Sequence, residues 1–264
     1  MSRISLKKIQ KQKKIKKITC LTAYTSSIAK IVDRYVDIIL VGDSVGTVIY
    51  GMKNTQKVTL DMMMRHGKAV VDSTYKAFTI IDMPFNTYRN KNEALKNAKK
   101  LLNYTRSQAI KLETNEKTLE IVKYLVKNKI KVATHIGVTP QKYKNFSKIR
   151  SVGNNLKEKE KIYNLALKLE RAGSCLVVLE CLKENLAEYI SNNLKIPTIG
   201  IGASIKCDGQ ILVINDILNT DATIKQPKFI KNYAKINILI ENAVKKYCSD
   251  VLQKRFPKKN HTYK

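Results

Sequence analysis

The chain has 264 residues, with 50 lysines and arginines against 21 acidic residues, a formal charge of +29 at pH 7. Only eight of the basic residues are arginine, the lysines are spread over every predicted helix, and no nucleic-acid-binding motif occurs, so no nucleic-acid partner is predicted. No run of eighteen apolar residues and no apolar signal core are present, which predicts neither a membrane span nor a secretory signal and favours the cytoplasm.

Short apolar runs alternate with helical periods after a basic extension of about 17 residues. The predicted strands span 18–24, 37–42, 78–84, 109–113, 131–137, 175–180, 196–202 and 211–218. The predicted helices span 26–35, 60–76, 90–105, 116–128, 156–172, 183–194 and 229–252. This alternation, without an internal linker, predicts one α/β domain over residues 1–264 with a parallel sheet.

Three segments lack a clear period. Residues 45–58 are predicted to be an irregular loop that could cover a site, and residues 138–154 form the longest predicted loop. We expect the second loop to lie on the catalytic side, and its part from Lys142 to Asn154 to be mobile without ligand. Residues 253–264 are predicted to be a solvated basic tail.

Polar residues end five of the predicted strands. Gly42-Asp43-Ser44-Val45-Gly46 closes the most apolar run of the N-terminal half. The other strand ends carry Asp82, Glu113, His135 and Glu180. In a barrel of parallel strands these ends converge on one face, which is where such folds keep their chemistry.

The residue types at these ends indicate a reaction. Asp43, Asp82 and Glu113 are hard oxygen ligands without Cys or paired His, which suits Mg²⁺. Lys111 lies two residues before Glu113 on the same strand, so both face the same side and the lysine could hold a substrate carboxylate. A carboxylate partly removed from water, as expected for Glu180, suits a general base. Together they predict proton removal beside a carbonyl, with a metal-stabilised enolate.

Simpler explanations exist for each residue taken alone. Asp43 could be a helix cap, Glu113 a first-turn residue, Lys111 a surface lysine and His135 a satisfied core histidine. Their shared position at strand ends favours a site. A non-enzymatic basic scaffold that binds nucleic acid stays open as the alternative from another class.

The stretch Gly42–Gly46 also matches the G-x-S-x-G nucleophile elbow of α/β-hydrolases. That elbow must lead into a helix, whereas the following TVIYG is predicted to be irregular. The histidine required late in the chain could only be His261, in the tail. A hydrolase is therefore disfavoured.

Several stretches in this order resemble one family: TAYTSSIAK, LVGDSVG, DMPF, IKLE, HIGVTPQ, LVVLEC, IPTIGIGA, DGQILV and PKF. Over residues 18 to about 245 the chain is similar to the ketopantoate hydroxymethyltransferases. The resemblance implies a (β/α)₈ TIM barrel of the phosphoenolpyruvate mutase/isocitrate lyase type and a homodecamer. It also implies Mg²⁺-dependent transfer of a one-carbon unit from 5,10-methylenetetrahydrofolate to 3-methyl-2-oxobutanoate, in pantothenate biosynthesis.

By the same resemblance, Asp43, Asp82 and Glu113 form the Mg²⁺ site. Ser44 and Lys111, together with Asp43 and Asp82, contact the keto acid, and His135 is a further pocket residue. Glu180 is the proton acceptor. The related carbon–carbon lyases carry a catalytic Cys in a K-[KR]-C-G-H context, which does not occur in this chain.

Three positions depart from the family pattern. Thr114-Asn115 replaces a glycine pair, residues 142–150 replace a Gly-Gly-Tyr loop, and Asn215 stands where a histidine is usual. These changes affect the expected folate contacts and the loop at the mouth of the barrel.

Overall fold

A computed structural model describes residues 3–144, 150–220 and 226–263. The chain divides into two compact units, Met1–Val213 and Ile214–Lys264. The first unit contains a closed barrel of eight parallel strands that neighbour one another in chain order. The barrel confirms the predicted (β/α)₈ fold. That all 264 residues form a single domain stays a prediction.

The strands are short, as the apolar runs predict. They are β1 (Ile18–Thr22), β2 (Ile38–Val41), β3 (Phe78–Asp82), β4 (Ala109–Glu113), β5 (Val132–Gly137), β6 (Leu176–Glu180), β7 (Thr198–Ile201) and β8 (Gly209–Leu212). The helices of this unit are α1 (Leu6–Gln12), α2 (Ser26–Val32), α3 (Val45–Val48), α4 (Leu60–Asp72), α5 (Lys91–Thr105), α6 (Leu119–Lys127), α7 (Leu156–Arg171) and α8 (Glu184–Asn193). Single 3₁₀ turns lie at Thr55–Lys57, Glu116–Thr118 and Pro140–Lys142.

Alternate residues of each strand point into the barrel, and their apolar members form one core. This core contains Ile38 and Leu40 from β2, Phe78 and Ile80 from β3, Ala109, Ala133 and Val178 among others. Phe78 is large where Ala109 and Ala133 are small, so the interior fills without a pore. The core occupies the lower and middle part of the barrel and leaves the carboxyl ends of the strands for polar residues.

The described part of the N-terminal extension, predicted over about residues 1–17, contributes to the barrel core. Ser5 caps α1 by accepting a hydrogen bond from the Lys8 N–H. Ile4 and Ile9 lie in the same core as the inward residues of the strands. The helical period was missed because α1 has seven residues, of which only Ile9 is buried.

Side-chain caps mark the starts of several predicted helices. Thr59 caps α4 through a 3.2 Å hydrogen bond from the Met62 N–H, as predicted, but the helix ends at Asp72 rather than at 76. Asn90 and Asn155 cap α5 and α7 in the same way. Gly173, with φ of +90°, follows the end of α7, where the predicted glycine cap lies.

The eighth strand was misplaced. It spans Gly209–Leu212, and the residues predicted to continue it, Ile214–Leu218, form the short helix α9. Gly209 pairs with Ile18, and a Cβ there would meet the Ile18 carbonyl oxygen at 2.5 Å. The close approach of β8 to β1 therefore requires glycine, so barrel closure rather than local apolar content decides where the strand starts.

The expected irregular loop over 45–58 contains the helical turn α3 (Val45–Val48) and the 3₁₀ turn Thr55–Lys57. Residues 145–149 of the second loop lie outside the described residues. Of its described part, Val152 makes a parallel bridge to Leu182. The predicted mobility of this loop stays a prediction.

The second unit contains α9 (Ile214–Leu218) and α10 (Ile236–Leu252). The last helix begins seven residues later than predicted, and none of its residues is buried. The described residues of the tail are exposed, as expected. Across the described residues, no helix combines the length and apolar content that crossing a membrane requires.

Candidate active site

The predicted site residues of β3 to β6 continue the inward rows of the barrel core. Asp82 follows Phe78 and Ile80 on β3, and Lys111 and Glu113 follow Ala109 on β4. His135 on β5 and Glu180 at the end of β6 likewise follow inward-facing apolar residues of their own strands. Period-2 alternation therefore carries each strand from an apolar floor to a polar carboxyl end.

Lys111 and Asp82 form a buried ion pair across adjacent strands. The two residues are register partners, and Lys111 Nζ lies 2.9 Å from Asp82 Oδ1. Burial alone would lower the pKa of Lys111, but the carboxylates of Asp82 and Asp43 raise it, so the ammonium stays charged. Burial raises the pKa of Asp82 to about 6, although Lys111 opposes this shift.

Asp43 and Ser44 lie just beyond β2, beside Asp82. The Asp43 N–H donates to Asp82 Oδ2 at 3.0 Å, which fixes the second oxygen of that carboxylate. Burial raises the pKa of Asp43, and the nearby Lys111 charge opposes the rise. Ser44 Oγ shares a 2.6 Å hydrogen bond with the phenol of Tyr24.

The backbone around Ser44 can be compared with the nucleophile elbow that Gly42–Gly46 matches in sequence. The expectation that no helix follows Gly42–Gly46 is wrong, because α3 begins at Val45. Ser44 itself has ordinary right-handed helical angles, φ of −53° and ψ of −15°, without the strain of an elbow. The hydrolase interpretation stays disfavoured for that reason.

Glu113 contacts Gln141, a residue that the sequence did not identify as part of the site. The Gln141 N–H donates to Glu113 Oε1 at 3.0 Å, while its side-chain Nε2 donates to Asp43 Oδ2 at 2.8 Å. Burial and the Asp43 charge raise the pKa of Glu113 well above its usual range. Gln141 ends the stretch HIGVTPQ, but its role depends on a loop that returns over the barrel, which no strand pattern predicts.

His135 and Glu180 form the other half of the site. His135 Nε2 lies 3.2 Å from Glu180 Oε2, and in the described part of the chain neither ring nitrogen completes a hydrogen bond. Burial lowers the pKa of His135, a shift that Glu180 opposes, so the ring is neutral near pH 7. The Glu180 side chain is 16% exposed, which leaves it open to a ligand.

Close backbone contacts between β5 and β6 fix the positions of His135 and Glu180. Gly137 has φ of +103°, and a Cβ there would collide with the Glu180 carbonyl oxygen. The Val138 N–H donates to that same oxygen at 2.9 Å. After Glu180 the chain turns through Cys181, whose φ of +51° is strained for a side chain of this kind.

The carboxylates fit a hard cation that brings further ligands with it. Among the described residues, no three His, Cys, Asp or Glu side chains are arranged to enclose a metal ion by themselves. In the described ranges, however, Glu113 Oε2 and Asp82 Oδ1 are buried and complete no hydrogen bond of good geometry, although Lys111 Nζ lies 2.9 Å from Asp82 Oδ1. Mg²⁺ keeps several waters and accepts substrate oxygens, so buried oxygens of this kind are suitable partial ligands.

The departures from the family pattern have local structural roles. Thr114 is buried, and its hydroxyl donates to the His135 carbonyl oxygen at 2.8 Å. The Asn115 side chain accepts from the N–H groups of Lys117 and Thr118 and starts the next turn. In the second unit, Asn215 Nδ2 donates to Thr220 Oγ1 at 3.1 Å.

A cavity of about 240 Å³ opens beside Glu113 and Gln141. Its lining includes the apolar surfaces of Phe85, Tyr88 and Ile121 and the cationic side chains of Arg89, Lys117 and Lys142. It therefore combines aromatic walls with positive charge next to the Glu113 carboxylate.

Solved structures share this fold. A phosphonopyruvate hydrolase structure aligns with a TM-score of 0.63 at 10% identity, covering 98% of this chain and 90% of that one. A 2,3-dimethylmalate lyase, a PEP mutase/isocitrate lyase superfamily member, aligns with a TM-score of 0.62 at 11% identity, covering 97% and 87%. At these identities the likeness concerns the fold alone. Fold and site together define a (β/α)₈-barrel protein with acidic and cationic groups at the carboxyl ends of its strands.

Sequence comparison gives the particular family. The family model for ketopantoate hydroxymethyltransferase matches residues 3–259. The 3-methyl-2-oxobutanoate hydroxymethyltransferase of Pelagibacter ubique (strain HTCC1062) is 46% identical, over 96% of each chain. That of Rhizobium etli is 43% identical, over 99% of this chain and 96% of the relative. The chain belongs to the ketopantoate hydroxymethyltransferase family and is an enzyme of the transferase class.

Proposed function

We propose that the chain transfers a hydroxymethyl group from 5,10-methylenetetrahydrofolate to 3-methyl-2-oxobutanoate, with Mg²⁺ as the metal. The product would be ketopantoate, a precursor of pantothenate. One observation carries the proposal: the Lys111–Asp82 ion pair and the His135–Glu180 pair lie on the same inward rows at the carboxyl end of the barrel. Lys111 would thus be the cation that binds the keto acid, and Glu180 the base that removes its proton, both at the carboxyl end of the barrel.

The keto acid would bind between these groups. Its carboxylate would contact the Lys111 ammonium, which is buried and therefore strong as a charged donor. Ser44 Oγ, already directed by the Tyr24 phenol, would donate to a keto-acid oxygen. Asp43, Asp82 and Glu113 would hold the metal on the same side.

The chemistry would begin with removal of the C3 proton by Glu180. A bound Mg²⁺ would supply a fixed positive charge beside the negative charge that develops on the keto-acid oxygens. The electron pair of the broken C–H bond would then form a carbon–carbon bond to the methylene carbon of the donor. As that bond forms, one of the two C–N bonds of the methylene carbon would break; water would replace the nitrogen of the other C–N bond and supply the hydroxyl oxygen of the product. The C3 proton and one proton of the water would end on the two nitrogens of tetrahydrofolate, which leaves. Neutral His135, 3.2 Å from Glu180, would orient the carboxylate towards C3.

The cavity beside Glu113 supports a place for the donor. Its aromatic walls suit a ring system, and Arg89, Lys117 and Lys142 suit the carboxylates of a folate tail. We therefore assign the folate side of the reaction to this cavity. A cytoplasmic homodecamer stays a prediction.

The test is a direct assay for ketopantoate with the purified chain. Product should form only when keto acid, folate donor and Mg²⁺ are all present, and excess chelator should abolish turnover. Added RNA should leave the activity unchanged, which would argue against the alternative of a basic scaffold that binds nucleic acid. Full activity in excess chelator would contradict the metal requirement, and absence of product under all conditions would contradict the reaction.

A further inference from the structure

We infer that Gln141 is a positioning residue that sets the Asp43 and Glu113 carboxylates for a divalent cation. This inference rests on the metal-dependent function proposed above. Gln141 is almost fully buried and lies at the 3₁₀ turn Pro140–Lys142, after β5.

Gln141 contacts both carboxylates through different atoms. Its main-chain N–H donates to Glu113 Oε1 at 3.0 Å, and its side-chain Nε2 donates to Asp43 Oδ2 at 2.8 Å. Each carboxylate thus has one oxygen held by a nitrogen donor. The other oxygen of Glu113, Oε2, is buried without a hydrogen bond among the described residues. One residue therefore fixes the rotamers of two acids and leaves an oxygen available for a cation.

The orientation of the Gln141 amide is determined by its other partners. Nε2 also donates to the Met83 carbonyl oxygen at 3.1 Å, and Oε1 accepts from the Tyr88 hydroxyl. A reversed amide would direct Oε1 at the Asp43 carboxylate and at a carbonyl oxygen, and would leave Tyr88 facing a donor. The Asp43 carboxylate and the Met83 carbonyl oxygen can only accept, so they select the orientation in which Nε2 faces them, and the Tyr88 hydroxyl holds the amide there by donating to Oε1.

The turn that carries Gln141 is itself anchored from across the barrel mouth. Gln56, in the 3₁₀ turn Thr55–Lys57, donates from Nε2 to the Gln141 carbonyl oxygen at 2.9 Å. Asn54 Nδ2 donates to the Lys144 carbonyl oxygen at 3.0 Å. The segment after β2 thereby fixes the position of the segment after β5, and Gln141 transmits that position to the carboxylates.

The consequence for metal binding follows from preorganisation. Without a donor on one oxygen, a buried carboxylate beside Lys111 can rotate towards the ammonium, and a cation must then break that arrangement before it binds. Loss of a hydrogen bond that orients a metal ligand costs roughly 10- to 100-fold in metal affinity. Gln141 acts on the cation through Asp43 and Glu113 and need not touch it.

The experiment measures Mn²⁺ binding by electron paramagnetic resonance on the full chain without substrates. Gln141→Met keeps the side-chain length and removes the amide, and its Mn²⁺ affinity should fall about 10-fold or more. Gln108→Met is the matched control. Gln108 Nε2 donates to the Ile4 carbonyl oxygen and its Oε1 accepts from the Thr79 N–H, at the opposite end of the barrel. Gln108→Met should keep wild-type Mn²⁺ affinity even if its melting temperature falls.

Tyr88→Phe is the second variant, because it removes only the hydroxyl that donates to the amide oxygen of Gln141 and helps to hold the amide in place. Its Mn²⁺ affinity should fall by a few-fold, and this variant decides the question if Gln141→Met does not fold. Wild-type Mn²⁺ affinity in both variants, or an equal loss in Gln108→Met, would overturn the role of Gln141, as would a wild-type chain that binds no Mn²⁺. Normal Mn²⁺ binding by the wild type with the expected loss in Gln141→Met, but no ketopantoate formation, would instead overturn the proposed reaction and leave this inference standing.

Discussion

Lys111 and Asp82 face each other across β3 and β4 with 2.9 Å between Nζ and Oδ1, and their side chains are only 9% and 3% exposed. An ion pair this deeply buried is favourable only while both partners are present, because either charge alone would be desolvated without compensation. Asp43 adds a second carboxylate near the same ammonium. In the function proposed above, the keto-acid carboxylate would be a further anionic partner for this ammonium.

Lys111→Met should weaken keto-acid binding by roughly 10- to 100-fold, the scale of a hydrogen bond to a charged group. It should also raise the pKa of Asp82 further above its present value of about 6. A raised carboxyl pKa costs the folded state stability as the pH rises, because the folded protein keeps a proton that the unfolded chain has lost. The stability difference from wild type should therefore be small below about pH 6 and grow as the pH rises above it. Urea unfolding and keto-acid KM measure the two effects. Lys127→Met, on the exposed side of α6, is the control, and equal behaviour of the two variants would contradict the role of Lys111.

Metal affinity should fall as the pH is lowered through about 6. Burial raises the pKa of Asp43, Asp82 and Glu113, and a cation requires the ionised form of its ligands. Each displaced proton should therefore cost up to about 10-fold in Mn²⁺ affinity per pH unit below the pKa. Calorimetry in two buffers of different ionisation enthalpy should show proton release on binding. Affinity independent of pH between about 5 and 8 would contradict these protonation states.

Glu180→Gln should bind keto acid and metal but fail to remove the C3 proton. The loss should be roughly 10²- to 10⁴-fold, the usual scale for a positioned base. NMR in deuterated solvent without folate isolates this step, because it follows exchange of the C3 hydrogen before any one-carbon transfer. Glu184→Gln, in the first turn of α8, is the matched control and should exchange normally. Wild-type exchange by Glu180→Gln would exclude Glu180 as the base and make His135 the next candidate.

Ile9→Ala should destabilise the barrel although it lies far along the chain from every strand-end acid. Ile9 is fully buried in the barrel core, and truncation of such a side chain typically costs about 2–5 kcal/mol. Ile15→Ala, in the turn that follows α1 and 83% exposed, should change the unfolding free energy by less than about 0.5 kcal/mol. Chemical denaturation compares the two. Equal stability of both variants would contradict the contribution of Ile9 to the barrel core.

The sequence alone determined the features of this protein that depend on residues close together along the chain. Strands β2 to β6 follow from short apolar runs, and their polar ends follow from the residue at which each run stops. Because the strands are parallel, those ends share one rim, so the sequence could indicate Asp82, Glu113, His135 and Glu180 as neighbours. Their roles as ligands or base stay predictions.

Tertiary structure decided what depends on contacts between distant segments. Gln141 reaches Asp43 across 98 residues of chain, and Ile9 enters a core built from strands that begin after it. Closure of β8 onto β1 requires Gly209 beside Ile18, which placed the last strand earlier than its apolar run suggested. A single buried residue in a short helix, or a polar residue in a turn, leaves no periodic signal. Its position is set by the free energy of closing the whole barrel, to which segments far apart in sequence contribute together.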